Sequence, residues 1–260
     1  MTILSNNAAL EIAGFTDTGL SRDHNEDCIG YDRSTGVAVL ADGMGGHQAG
    51  EVASKMAVDG VLGQLKSVLN AQTSRPITGS QMLRFVSNTI STSNRKIYEA
   101  SESSIAQSGM GTTVVAAVIK DSRLYAGHVG DSRLYLLRNR KLRRITKDHS
   151  LVQDLVDKGF YTEQEARDAA INHVVTRALG TSADVKVDII QHKAQQDDVF
   201  LLCSDGLSDM ISDAMMEQVL TRPSASLDDK AQRLIGLANF YGGKDNISVI
   251  LIKVESTDHE

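Results

Sequence analysis

Four aspartates in this chain stand where an apolar run gives way to a glycine or a small polar residue. Asp42 follows VAVLA and precedes Gly43, and Asp131 follows YAGHVG and precedes Ser132. Asp205 follows VFLLCS and precedes Gly206, and Asp245 separates GGK from the apolar NISVILI. An acidic pair, Glu26-Asp27, joins them. Taken singly, each aspartate reads as a turn residue, because Asp bonds its own backbone and Gly supplies positive φ. Taken together they suggest more, since strand ends in a layered fold converge on one edge and the carboxylates could share a cleft. Like charges packed together repel and raise each other's pKa, and a divalent cation removes that difficulty. The donors are oxygens, with no cysteine pair and no paired histidines at metal spacing, so magnesium, manganese or calcium fits better than zinc or copper. Gly43 would let the backbone approach closely and offer a carbonyl to such an ion.

The elements that must carry these acids are legible in outline. Residues 10–18 and 36–41 read as strands, the second a short buried one rich in valine. Apolar spacing predicts helices over 48–70 and 80–100, separated by a polar loop with Pro76. Residues 112–120, 123–129 and 133–138 are rich in β-branched and aromatic residues and read as an antiparallel meander. A polar helical stretch follows over 150–170, where Thr162 and Glu165 have the spacing of a helix cap. A strand over 198–203, helices over 213–220 and 228–240, and a strand over 246–254 complete the chain. Helices bracket two groups of strands, and the natural packing is a layered sandwich with the sheets inside.

Composition narrows the partners. The chain has 260 residues, a formal net charge of −6, no Trp and only 4% aromatic residues, which argues against a nucleic-acid or anionic-membrane partner. The basic run RNRKLRR at 138–144 reads as a solvated hairpin. Cys28 and Cys203 are the only cysteines and read as reduced, buried thiols of a cytoplasmic protein. No stretch resembles a signal peptide or a membrane span.

Eight segments, in order, carry a resemblance: SRDHNED, LADGMGGHQAGE, GMGTTVV, AGHVGDSRLY, ITKDHSLV, VVTRALG, LLCSDGLSD and GGKDNISV. With them the chain resembles the metal-dependent Ser/Thr protein phosphatases of type 2C, in their compact bacterial form. The resemblance implies an α+β fold, a four-layer α-β-β-α sandwich with two central antiparallel β-sheets flanked by helices. It implies a single catalytic domain over 10–256 after a tail at 1–9, with a flap over about 150–172. It further implies two Mg2+ or Mn2+ ions bridged by Asp42, with the Gly43 carbonyl on one ion and Asp205 and Asp245 on the other. Asp131 would serve a third, weaker ion, Glu26 and Asp27 would support the ions, and Arg22 would grip the substrate phosphate. The implied reaction is attack of a metal-bridging water on phosphoserine or phosphothreonine, without a phosphoenzyme. His47 is the candidate general acid, although here Met44 occupies the slot after the DG pair where animal members have their histidine. His149 in KDHS reads as structural, and the AAINH run before VVTRALG departs from the family's usual flap sequence.

The expected partners are phosphorylated proteins and Ser/Thr kinases, with no nucleic acid and no membrane, for a monomeric enzyme. A catalytically silent pseudophosphatase is the alternative, and it should have lost the carboxylates that Asp42, Asp205 and Asp245 retain. A nucleotide cradle built on GMGGHQAG lacks both the GxGxxG spacing and the P-loop Lys-Ser/Thr.

Overall fold

The apolar runs show no alternation because both faces of each central strand are covered. Within residues 37–41, Val37, Val39 and Ala41 pack in one cluster with helical residues, while Ala38 and Leu40 pack in a second cluster between two sheets. The C-terminal strand behaves likewise, with Val249 and Leu251 facing helices and Ile250 and Ile252 facing the opposite sheet.

The computed structural model describes residues 9–45, 49–71, 76–103, 107–162, 165–166, 169, 171 and 174–255. Their elements, in chain order, begin with β1 (Leu10–Asp17), β2 (Asp27–Asp32), β3 (Val37–Met44), α1 (Ala49–Asn70) and α2 (Gly79–Ser103). Next come β4 (Gly111–Thr112), β5 (Val114–Lys120), β6 (Arg123–Val129), β7 (Arg133–Arg138), β8 (Lys141–Arg144) and α3 (Leu151–Asp157). The chain closes with β9 (Asp188–Lys193), β10 (Val199–Cys203), α4 (Asp205–Ser208), α5 (Asp213–Leu220), α6 (Leu227–Phe240) and β11 (Ile247–Val254). One sheet runs β1-β11-β10-β7-β8, and the other runs β2-β3-β5-β6-β9 with β4 added to β3. All these pairings are antiparallel.

Three apolar clusters define the layers. One joins α1 and α2 to the outer face of the second sheet, one joins α5 and α6 to the outer face of the first, and one fills the space between sheets. This is the α-β-β-α sandwich expected. Helix starts are set by side chains: Ser212 caps α5, and Ser226 and Asp229 form a capping box on α6. Among the described residues no helix is long and apolar enough to cross a membrane.

Several elements depart from the sequence reading for physical reasons. The strand expected over 112–120 breaks at Thr113, where the backbone N–H donates to Asp42 O (2.8 Å) and Thr113 Oγ1 accepts from Asp42 N (3.0 Å). The helix expected over 150–170 ends at Asp157, because Lys158 caps it and Gly159 turns to φ 75°. The Thr162–Glu165 pair still makes the expected cap, with Thr162 N–H donating to Glu165 Oε2 and Glu165 N–H donating to Thr162 Oγ1. The basic run is the hairpin β7–β8, turning at Asn139 and Arg140 with φ of 50° and 62°. The expected tail falls almost wholly outside the described residues, as does most of the AAINH run.

Arg138, at the far end of β7 from Asp131, makes a bidentate pair with Asp198, at 2.8 Å through Nε and 2.6 Å through Nη2. Asp198 is 1% exposed and also accepts from Gln195 N–H. Arg138→Ala strands that carboxylate, and the expected cost is about 3 kcal/mol in chemical denaturation. The remaining activity per folded molecule should be unchanged, because the pair is remote from the acids.

Candidate active site

The acids do meet. Asp27 opens β2 directly opposite Asp42 near the end of β3. Asp205 begins α4 where β10 ends, Asp131 lies in the turn from β6 to β7, and Asp245 precedes β11. Each therefore sits at the same edge of the two central sheets. Asp27 and Asp205 lie close enough to Asp42 for their charges to bear on its carboxyl.

Two backbone crossings hold this edge together, and they explain the glycines after Asp42 and Asp205. A Cβ on Gly43 would lie 2.2 Å from Gly50 O and 2.6 Å from Glu26 O. A Cβ on Gly206 would lie 2.0 Å from Asn246 O. These glycines are required by close approach of neighbouring loops, since neither has positive φ. Gly43 N–H donates to Glu26 O (3.1 Å), which ties the acidic pair to the end of β3.

A set of polar residues that sequence reasoning did not single out completes the scaffold. Asn246 accepts from Glu26 N–H (2.8 Å) and donates to Thr18 O (2.9 Å) and His24 O (2.8 Å), pinning the SRDHNED loop. Ser204 Oγ donates to Asp27 Oδ2 (2.8 Å) and accepts from Ser248 N–H (2.9 Å). Thr113 Oγ1 and Ser132 Oγ are 2.7 Å apart, linking the Asp42 strand to the Asp131 turn. The one clue in the sequence was that Asn246, Ser204 and Ser132 each adjoin an acid, whereas Thr113, in GMGTTVV, has none beside it.

The electrostatics are those of crowded carboxylates. Burial, then the charges of Asp27, Asp205 and Asp131, holds Asp42 well above the usual carboxylate range. Burial, then Asp131, Asp209, Asp245 and Asp27, does the same to Asp205. Burial pushes Asp27 up to about 6 and Asp131 up to about 7. Glu26 is raised by burial, against the opposing effect of Arg22. Asp27 Oδ1 and Asp205 Oδ1 are buried and have no hydrogen-bond partner. Among the described residues no group of three or more His, Cys, Asp or Glu is arranged as a ready-made metal-binding cage. The orphaned oxygens and mutual repulsion are those of a donor set suited to a hard divalent cation, which would draw the acids round itself.

Arg22 stands at the mouth, half-exposed, with Nη2 donating to Asp245 Oδ2 (2.7 Å). A cleft of about 360 Å³ opens beside the acids and is lined by Asp131, Asp205, Asp209 and Arg144, among others. Gly43 lies on β3 beside Asp42, while His47 lies outside the described residues. Cys203 is buried, and burial pushes its thiol up to about 12, which leaves it a poor nucleophile.

The fold carries an acid-lined edge beside an open cleft, and comparison with known proteins shows the class of protein. The family model for Protein phosphatase 2C matches residues 21–238. The serine/threonine phosphatase stp of Listeria monocytogenes serotype 4b (strain F2365) is 40% identical over 245 residues, covering 93% of this chain and 95% of that protein. The structure of the S. agalactiae serine/threonine phosphatase is 40% identical, with a TM-score of 0.86, covering 95% of this chain and 100% of that one. The catalytic domain of the serine threonine protein phosphatase PstP, in complex with 2 manganese ions, is 37% identical with a TM-score of 0.82, covering 95% of this chain and 99% of that one. The chain belongs to the protein phosphatase 2C family and is a protein phosphatase.

The raised acids set a pH dependence for the metal-free protein. Their folded pKa values exceed the unfolded ones, so the native state binds more protons and stability falls as pH rises from about 4 towards 7 and beyond. Thermal melts in chelator should show a lower midpoint at pH 8 than at pH 5. Added Mn2+ should raise the midpoint strongly at pH 8 and little at pH 5, where protons compete for the same oxygens.

Proposed function

We propose that this enzyme is a Mg2+- or Mn2+-dependent phosphatase of phosphoserine and phosphothreonine in proteins, a cytoplasmic counterpart to Ser/Thr kinases. Residues 10–256 act as one catalytic domain. The observation that carries the reading is the convergence of Asp27, Asp42 and Asp205 at one sheet edge, with orphaned buried oxygens on Asp27 and Asp205.

Asp42 and the Gly43 carbonyl would hold one ion. Asp42, Asp205 and Asp245 would hold a second, with Glu26 and Asp27 behind them and Asp131 directed to a weaker third. When bound, such ions supply Lewis acidity and make water a nucleophile at neutral pH. The residues do the rest. Arg22, kept at the mouth by Asp245, presents a planar fork of donors to the incoming phosphate oxygens, which lysine could not copy. Asn246 and Ser204 fix Glu26 and Asp27, so that the acids need little reorganisation when phosphate arrives. His47 is assigned to proton delivery to the leaving alkoxide. The two cysteines take no part, which agrees with a reaction that needs no phosphoenzyme. The manganese seen with a relative that shares this fold supports the choice of metal.

Release of phosphate from a phosphothreonine peptide, measured with Mn2+, Mg2+ or chelator, tests the reading. Turnover with either ion and none in chelator is expected, and turnover that ignores the chelator would refute it. Asp205→Ala should lower kcat by roughly two orders of magnitude or more while barely lowering the melting point of the metal-free protein, because it removes a repelling charge. Arg22→Ala should act mainly on binding, raising KM by about tenfold or more, the worth of lost charge-assisted hydrogen bonds. A reduced kcat at unchanged KM would contradict its role in gripping phosphate.

A further inference from the structure

His149 is 8% exposed and sits where three parts of the molecule meet. Its backbone N–H donates to Gly130 O (2.8 Å), and its ring Nδ1 accepts from Gly130 N–H (3.0 Å). Both polar backbone groups of Gly130 therefore end on His149, and Gly130 immediately precedes Asp131. The His149 carbonyl accepts from Thr176 N–H (2.8 Å), and Leu151 N–H donates to Val174 O (2.8 Å). These bonds close the base of the segment that begins with α3 and borders the cleft.

The tautomer follows from the partners. A backbone N–H can only donate, so Nδ1 carries the lone pair and the ring proton is on Nε2. Asp188 Oδ2, at the start of β9, lies 3.3 Å from Nε2 and accepts that proton's hydrogen bond. Arg177 Nη1, a second donor, also lies 2.9 Å from Nε2, and it donates to Asp188 Oδ1 (2.8 Å) and Lys186 O (3.2 Å). On the remaining side His128 of β6 stacks on the ring at 4.5 Å between centroids. Two of the groups facing the imidazole, Asp188 and Asp148, favour its protonation, while Arg177 opposes it along with burial, the largest influence. Burial also holds His128 down at about 4, so it adds no positive charge near neutral pH.

We propose that His149 is a positioning residue for the phosphatase reaction, a neutral ring that fixes the Gly130–Asp131 turn at the acid cluster and ties it to the base of the segment beginning at α3. It acts through Gly130 rather than through contact with substrate or with the clustered acids at the sheet edge. The proposal rests on the reading that Asp131 helps hold a divalent ion. Protonating Nδ1 would convert an acceptor into a donor aimed at the Gly130 N–H, so acidification breaks this bond and loosens Asp131.

The test compares the wild type with His149→Ala and His149→Asn, whose amide Oδ1 can accept at the same place but cannot titrate. Three quantities are measured: Gly130 amide protection in the metal-free protein by NMR hydrogen exchange, Mn2+ binding by calorimetry, and kcat against pH on a phosphothreonine peptide. For His149→Ala, Gly130 protection and the affinity of the weakest Mn2+ site should each fall by about five- to tenfold, the worth of one hydrogen bond. His149→Asn should restore both to within about twofold and remove the loss of Gly130 protection that the wild type shows on acidification. Ala behaving as wild type, or Asn being as impaired as Ala, would overturn the proposal. If His149→Ala does not fold, the comparison of wild type and Asn decides, and identical pH dependence of Gly130 protection overturns it. A wild type that binds no Mn2+ and releases no phosphate would instead refute the metal reading, while Gly130 protection would still report on His149.

Discussion

Carboxylates that repel one another at the edge of two sheets are the constraint on which the rest of this molecule depends. Asp27, Asp42, Asp131 and Asp205 come from different strands and turns, and burial first, then the charges of neighbouring carboxylates, drives them towards their neutral forms. No core packing would choose that arrangement for its own sake, since burying charge without a partner is costly. The sandwich supplies the stability that makes the strain tolerable. Its three apolar clusters cover both faces of both sheets and leave the site to occupy one edge.

The site is held by backbone as much as by side chains. Loops cross so closely at Gly43 and Gly206 that a methyl group would collide with a carbonyl oxygen. Asn246 fastens the loop bearing Arg22 and Glu26 through three hydrogen bonds, and the pair Thr113–Ser132 joins the Asp42 strand to the Asp131 turn. His149 extends this logic from the turn to the cleft wall. Rigid strands thus bring the acids near, and short polar contacts decide their final placement.

Much of the fold was legible because its strongest elements are local. The long amphipathic helices α1 and α2 and the buried strands β5, β10 and β11 start and stop within a few residues of the positions read from periodicity. Strands β2 and β9 escaped notice. β9 alternates partly buried and exposed residues on the rim of its sheet, and β2 is a short strand beginning inside an acidic segment, so neither carries a clear apolar signature. The break at Thr113 and the stop at Gly159 were missed for another reason. The first depends on Asp42 across the sheet, and the second on a turn that a run of helix-compatible residues conceals.

The sequence by itself determined the acid positions, their punctuation by glycine, the oxygen character of the donor set and the family to which the chain belongs. These are properties of residue type and spacing, which survive without coordinates. Only the tertiary structure decided which acids come together, that Asp209 adds to the charge felt by Asp205, that Arg22 is held by Asp245, and that Gly130 N–H donates to His149 Nδ1. Those facts are distances between residues separated by anything from a few to more than two hundred positions in the chain, and no local pattern encodes them.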